Sequence, residues 1–280
     1  GCTILLGLGG WLVINRQLTL GQLVASELIV TLVLGAVSKM GKYVEIFYDL
    51  QATLDKLGIL DRLPPEAVDG EVLEADVGPI AVVADIQGFD GHSQHLEIAP
   101  GERVALVGAT GKTPLLQTLA LLRLPRKGRV ELDGIDIRGL DRPATRRQIA
   151  YLGKAEVFEG TISENIRLGR TDVTPAAIRD ALDAVGLSAS VARLPGGLQA
   201  HLAPDGHPLS NSELNRLAIV RAIVGKPRLL LIDGTLDGLD LGECPELLDV
   251  LFDPAAPWTL VLVSVRDSIR GRCGRIVPWS

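Results

Sequence analysis

The stretch GERVALVGATGKTPLL, residues 101–116, constrains this chain more than any other. A short apolar run, RVALV, leads into a glycine turn, and Gly111-Lys112-Thr113 opens a segment, LLQTLALLRL, apolar enough to be a buried helix. Strand, glycine loop and helix in that order bind phosphate, because backbone N–H groups at the loop and helix N-terminus point at the anion while a lysine neutralises it. The spacing departs from the phosphate-loop pattern GxxxxGK(S/T), since only Ala109 and Thr110 separate Gly108 from Gly111. Two loop donors are therefore missing. Pro114 removes one more N–H from the first helical turn, where proline is sterically acceptable. The competing reading is an ordinary βα turn, and the rest of the chain has to decide between them.

A length of 280 residues allows one or two domains and a large core. The chain is 47% hydrophobic with a positive mean hydropathy, which directs attention to a membrane segment. A net charge of −6 with scattered basic residues argues against a nucleic-acid partner. Cys2, Cys244 and Cys273 are odd in number and widely spaced, which fits a reducing cytosolic face rather than a disulfide framework. His92 and His95 read as residues of a solvated glycine-rich loop, not as metal ligands. The chain opens Gly1-Cys2 inside an apolar run and its only methionine is Met40, so the sequence is expected to be a piece of a longer chain with further membrane protein before it. A signal peptide fits less well, lacking a basic start and a small-residue cleavage site.

Residues 1–14 carry no charge and place Trp11 near their polar end, where an interfacial aromatic is favoured. They are too short for a bilayer, which needs about 20 apolar residues, and read as the end of a span. After the polar turn Asn15-Arg16-Gln17, residues 18–37 are long enough to cross, interrupted only by Gln22 and Glu27. Lys39, Lys42, Lys56 and Arg62 collect beyond this stretch against Arg16 alone before it, which makes the Lys39 end cytoplasmic. Apolar residues at three and four spacing (Val44, Ile46, Phe47, Leu50, Leu54, Leu57, Leu60) continue the helix to about Leu63, roughly 60 Å from Gly21 at the usual rise. Pro64-Pro65 ends it. The competing reading is a buried hairpin of a soluble core. Glu27 falls near mid-membrane, where a carboxylate either lines an aqueous path or hydrogen-bonds a neighbouring helix.

Residues 64–79, acidic and rich in turn formers, read as a linker. A β-rich stretch follows (AVVADI, HLEIAPGE, RVALVG, GRVELDGIDI), and then short apolar runs, QIAYLG, LLLID and TLVLVSV, suited to buried parallel strands. In RLLLIDG, four apolar residues end in Asp233, which puts a carboxylate at the carboxyl end of a central strand, where an open α/β sheet holds its ligand. With Lys112, this supplies two parts of a nucleotide site: a phosphate lysine, and an aspartate to hold Mg²⁺ together with Thr113 or water.

The ordered set of strand-GxxGKT, VFEGTISENI, LSNSELNRLAIVRAI, RLLLIDGTLDGLD and TLVLVSV resembles the nucleotide-binding domain of an ATP-binding-cassette (ABC) transporter. LTLGQLVASELIV and its long helix resemble the last membrane helix of an exporter of that family. The resemblance covers nearly the whole chain. It implies an α/β P-loop NTPase domain, a parallel sheet with a β-rich edge and a helical subdomain, preceded by transmembrane helices. It divides the chain into the end of the membrane domain at 1–63, a linker at 64–79 and the nucleotide domain at 80–280, with the helical subdomain at about 141–225. It also implies ATP and Mg²⁺ as ligands, a second ABC subunit as partner in a homo- or heterodimer, a lipid membrane, and a location in the cell (inner) membrane with the nucleotide domain cytoplasmic.

On that resemblance, Gly108, Thr110, Gly111, Lys112 and Thr113 bind nucleotide, Thr113 and Asp233 hold the metal, and Ser210, Asn211, Ser212 and Glu213 stand at the signature LSGGQ. The chain departs from the family at most catalytic points. Lys154 replaces the glutamine that senses Mg²⁺ and water. LSNSE replaces the signature, and Ser210 with Glu213 makes a capping box that satisfies the helix's own N–H groups. Gly234 replaces the glutamate general base and Val265 the switch histidine. Phe89 is the nearest candidate for the base-stacking aromatic. These losses lead us to expect a degenerate site with very slow or absent hydrolysis, carried by an exporter half that pairs with a more complete subunit. One alternative keeps hydrolysis through Asp233 and Asp237; the other is a non-catalytic structural or regulatory partner.

Overall fold

The computed structural model describes residues 2–61, 70–74, 78–87, 93–125, 127–240, 242 and 245–279, and the chain divides into two units, Gly1–Pro65 and Glu66–Ser280. Phe89, His92, Cys244 and the prolines at 64 and 65 lie outside the described residues.

The first unit is a pair of helices, α1 (Cys2–Ile14) and α2 (Leu20–Asp61). Thr19 and Gln22 start α2 by reciprocal capping: Gln22 N–H donates to Thr19 Oγ1 at 3.3 Å, and Thr19 N–H to Gln22 Oε1 at 3.0 Å. Gln22 is thus a helix-start residue rather than a flaw in an apolar span. Gly9 of α1 lies so close to Leu23 that a Cβ there would collide with it. Leu23, Glu27 and Val30 form a half-buried stripe on α2. The spacing of four and three keeps them on one helix face. Leu20–Gly58 is long and apolar enough to cross a membrane.

In the second unit the short apolar runs form the expected parallel strands. β3 (Arg103–Val107), β6 (Ile149–Leu152), β9 (Leu229–Asp233), β10 (Thr259–Val263) and β11 (Arg275–Pro278) make one sheet in the order β11-β3-β10-β9-β6, every pairing parallel. The β-rich edge is a separate antiparallel sheet of β1 (Val82–Gln87), β2 (Ser93–Ile98), β4 (Gly128–Leu132) and β5 (Ile135–Asp136), ordered β2-β1-β4-β5. His95 lies on β2, not in the loop expected from the sequence, with Nδ1 2.6 Å from Asp85 Oδ1 across the β1–β2 ladder. β7 (Gly160–Thr161) and β8 (His201–Leu202) pair as a small ribbon.

Alternation along the parallel strands sends side chains into two cores. Val104, Leu106, Leu229, Leu231 and Val261 join the antiparallel sheet and α3 (Lys112–Leu119) on one face. Ala105, Leu230, Ile232, Leu260 and Leu262 join the helices on the other: α5 (Ile162–Arg167), α6 (Pro175–Ala184), α7 (Ser188–Arg193), α8 (Asn211–Ile223) and α9 (Pro245–Phe252). The short helices α4 (Arg142–Arg146) and α10 (Asp267–Arg270) complete the unit. α3 stops before the apolar run ends, because Leu121 takes the left-handed φ of +58° and its N–H turns back to Thr118 O.

Residues 70–74, inside the stretch read as a linker, are docked on this unit. Glu71 exchanges backbone hydrogen bonds with Gly139 and Asp141, and Leu73 is buried. Arg228, just before β9, gathers the same region. Its guanidinium donates to Gly78 O, to Glu74 O at 2.9 Å, to Gln148 Oε1 at 2.9 Å and to Asp133 Oδ2 at 2.6 Å. Asp133 in turn accepts from Ala81 N–H at 2.7 Å. A buried guanidinium with four acceptors ties the two sheets together at one point.

The helix caps predicted for α8 are present. Glu213 N–H donates to Ser210 Oγ at 3.3 Å and Ser210 N–H to Glu213 Oε2 at 2.8 Å. Burial pushes the Glu213 carboxyl up, but hydrogen bonds from Ser190 and Ser210 and the nearby Arg216 outweigh it and leave the group below its ordinary value. A carboxyl lowered in the folded state adds stability above its unfolded value and loses it as pH falls through the folded one.

Arg228→Met is expected to cost about 3 kcal/mol, since it leaves Asp133 and three carbonyls without their donor. Urea unfolding followed by the fluorescence of buried Trp258 and Trp279 reads this directly. Ser210→Ala is expected to cost about 1 kcal/mol at neutral pH. Glu213→Gln destabilises at neutral pH, and its stability converges on wild type as pH falls below the ordinary carboxylate range and the wild-type carboxyl takes up its proton.

Candidate nucleotide site

β3 ends at Val107 and α3 begins at Lys112, so the glycine loop is Gly108–Gly111. Two of its residues need glycine. Gly108 has φ +143° and lies against the Trp279 carbonyl, where any Cβ would collide. Gly111 is the N-cap of α3 at φ +79° and has no side chain to cap the helix. Gly108, Ala109, Thr110 and Thr113 are exposed. Among the described residues nothing accepts from the backbone N–H groups of Ala109, Thr110, Gly111, Lys112 or Thr113. Five successive free donors at a helix N-terminus suit an anion, even with the loop two residues short. Lys112 Nζ is turned back onto Gly108 O, the carbonyl at the other end of the loop.

Asp233 stands at the carboxyl end of β9, two strands from β3 across β10, about 10 Å at the usual strand spacing. α3 packs against β9, so the loop and the carboxylate open on the same end of the sheet. Asp233 Oδ2 lies 3.3 Å from the Tyr151 hydroxyl of β6, a partner the sequence did not indicate. Burial first, then Asp233, holds the phenol above its ordinary ionisation range. One carboxylate and one exposed hydroxyl, Thr113, do not make a cation cage by themselves. Mg²⁺ commonly takes one or two carboxylates and completes its shell with phosphate and water, and these residues fit that role.

Gly234 follows at φ +74°, a left-handed turn with its N–H donated to Val263 O at 3.0 Å. Asp237 does not face Asp233 as a second free carboxylate. Its Oδ1 accepts from Ser264 Oγ and its Oδ2 from Val265 N–H at 3.1 Å, while Arg266 binds Asp237 O at 2.7 Å and Leu239 O at 2.9 Å. This clasp leaves the Val265 side chain exposed at the surface. Thr235 ties the other flank, donating to Gly153 O at 2.6 Å. Lys154, exposed just beyond, lines a cleft of about 1050 Å³ together with Tyr151, Gly153, Arg146, Arg147 and Arg170.

At the start of α8, Asn211 is exposed, Ser210 and Glu213 are engaged with each other, and the Ser212 hydroxyl is buried without a partner. The structure therefore gathers Gly108–Thr113 and Asp233 at one end of the parallel sheet. Ser210–Glu213 sits at the N-terminus of another element. No sequence signal pointed to Tyr151, Ser264 or Arg266, because each acts through a contact distant in the chain.

The geometry agrees with comparisons against known proteins. The family model described as ABC transporter matches residues 92–236. The β-(1→2)-glucan export ATP-binding/permease protein NdvA of Mesorhizobium japonicum is 30% identical, over 95% of this chain and 48% of its own length. An uncharacterised ABC transporter ATP-binding protein of Bacillus subtilis, YfiB, is 28% identical over 89% of this chain and 45% of its own. The chain thus spans about half the length of these relatives. A bacterial Atm1-family ABC exporter solved with ATP bound superposes with a TM-score of 0.73 at 26% identity, over 99% of this chain and 51% of that one. A glycine loop and a strand-end aspartate on one parallel sheet, within a match covering more than half of the residues, place the chain in the ABC transporter family.

Proposed function

We propose that the chain belongs to a subunit or half of an ABC exporter that binds ATP at Gly108–Thr113 and hydrolyses it very slowly or not at all. In this reading residues 1–63 end the membrane domain, 64–79 lead into the nucleotide domain at 80–280, and about 141–225 is its helical subdomain. The excess of Lys39, Lys42 and Lys56 over Arg16 puts the nucleotide domain on the cytoplasmic side. The exporter assignment leans on relatives whose names describe export.

The observation that carries the binding half is the run of unpaired N–H groups at residues 109–113, with Lys112 on the same turn. Lys112 exchanges the Gly108 carbonyl for a phosphate oxygen, a neutral acceptor for a charged one, which favours the bound arrangement. Mg²⁺ bound with ATP would neutralise phosphate charge, with Thr113 and Asp233 as its protein ligands. The slow half rests on the two residues after Asp233 that could have offered a proton acceptor among those described. Gly234 has no side chain, and the Asp237 carboxylate is held by Ser264 and Val265. Loss of a general base alone slows such reactions about 10²–10⁴-fold. The capping box also spends donors at the start of α8 that a partner's nucleotide would otherwise meet, so the proposed partner is a second, more complete ABC subunit with which this chain forms a heterodimer.

A second reading, a structural or regulatory partner without bound nucleotide, is favoured by one feature: Lys112 and Asp233 both have partners within the chain. Equilibrium binding of Mg-ATP to the whole chain in detergent separates the two. Our reading predicts a micromolar dissociation constant that rises about tenfold or more in Lys112→Ala, the value of a charged hydrogen bond. Absence of saturation at millimolar ATP would leave the second reading. Gly234→Glu is expected to cost about 1–2 kcal/mol of stability in urea unfolding, because the left-handed backbone at φ +74° opposes a side chain.

A further inference from the structure

β6 and β9 run parallel with Tyr151 opposite Leu231. Side chains two apart on a strand share a face, so Tyr151, Leu231 and Asp233 lie on the same side of the sheet. The ring reaches forward along the strand and sets its hydroxyl 3.3 Å from Asp233 Oδ2. Gly153 keeps the space open, since a Cβ there would stand 3.3 Å from the hydroxyl.

The direction of this relay is fixed by chemistry. An ionised carboxylate only accepts, so the single phenol proton points at Asp233. At 3.3 Å the contact is longer than an ordinary O–H···O bond, so the hydroxyl covers the oxygen without locking it.

Building on the nucleotide reading above, we propose that Tyr151 is a positioning residue that sets the metal dependence of the site. Its hydroxyl occupies a lone pair of Asp233 that a divalent cation would use, so phosphate binding at the glycine loop draws less on Mg²⁺ than Asp233 alone would provide.

The test is ATP binding to the whole chain in detergent, in excess MgCl₂ and in EDTA, for wild type, Tyr151→Phe and Tyr151→Phe/Asp233→Asn. Affinity in EDTA should agree within about twofold between wild type and Tyr151→Phe, while the gain on adding Mg²⁺ should be about tenfold larger in Tyr151→Phe and disappear in the double variant. An equal gain in wild type and Tyr151→Phe overturns the inference and leaves the nucleotide reading standing. So does an equal loss of affinity in both buffers, which would make Tyr151 a packing residue. Absence of saturable binding in either buffer for every variant overturns both.

Discussion

A parallel sheet spends its backbone hydrogen bonds internally and has no polar face, so both sides of β11-β3-β10-β9-β6 have to be covered. That requirement arranges the second unit. One face takes α3 and the antiparallel sheet, the other takes the helices α5 to α9. With the faces closed, only the ends of the strands are open to solvent, and β3 and β9 deliver the glycine loop and Asp233 to the same end. Arg228 holds the antiparallel sheet to the pre-β9 loop. Site geometry therefore depends on a residue that is far from phosphate in role though adjacent to β9 in sequence.

What was legible in the sequence was whatever depends on neighbours in the chain. The strands at 103–107, 229–233 and 259–263 are unbroken apolar runs bounded by glycine or polar residues, and they fold as read. Ser210 and Glu213 cap α8 because a capping box needs only a spacing of three. Asp233 at a strand end follows from the pattern alone. The illegible parts all join distant segments. Tyr151 meets Asp233 across a ladder 82 residues apart in sequence, and Arg266 clasps Asp237 across 29. The docking of 70–74 was hidden by a composition typical of linkers, since it depends on Leu73 burial and on backbone bonds to 139–141.

In the function we propose, the site combines a phosphate cradle that is short but open with a hydrolytic half whose groups are engaged elsewhere. Free N–H groups at 109–113 cost nothing to recruit. Asp237, by contrast, would have to leave Ser264 and Val265 before it could accept a proton, and Arg266 anchors the same turn. In that reading binding and chemistry separate along two segments of the chain. A subunit built this way fits a dimer in which the other member turns over nucleotide and this one follows.

The most direct test of that separation is a single-turnover quench: labelled ATP with excess protein and Mg²⁺, stopped over seconds to hours and resolved into ATP and ADP. The account predicts that bound label stays ATP for about a minute or longer, a rate at least about 10³-fold below the ordinary enzymatic scale of about 10 s⁻¹. Conversion to ADP near that ordinary scale by the chain alone would contradict it, and would require a proton acceptor other than the groups now engaged.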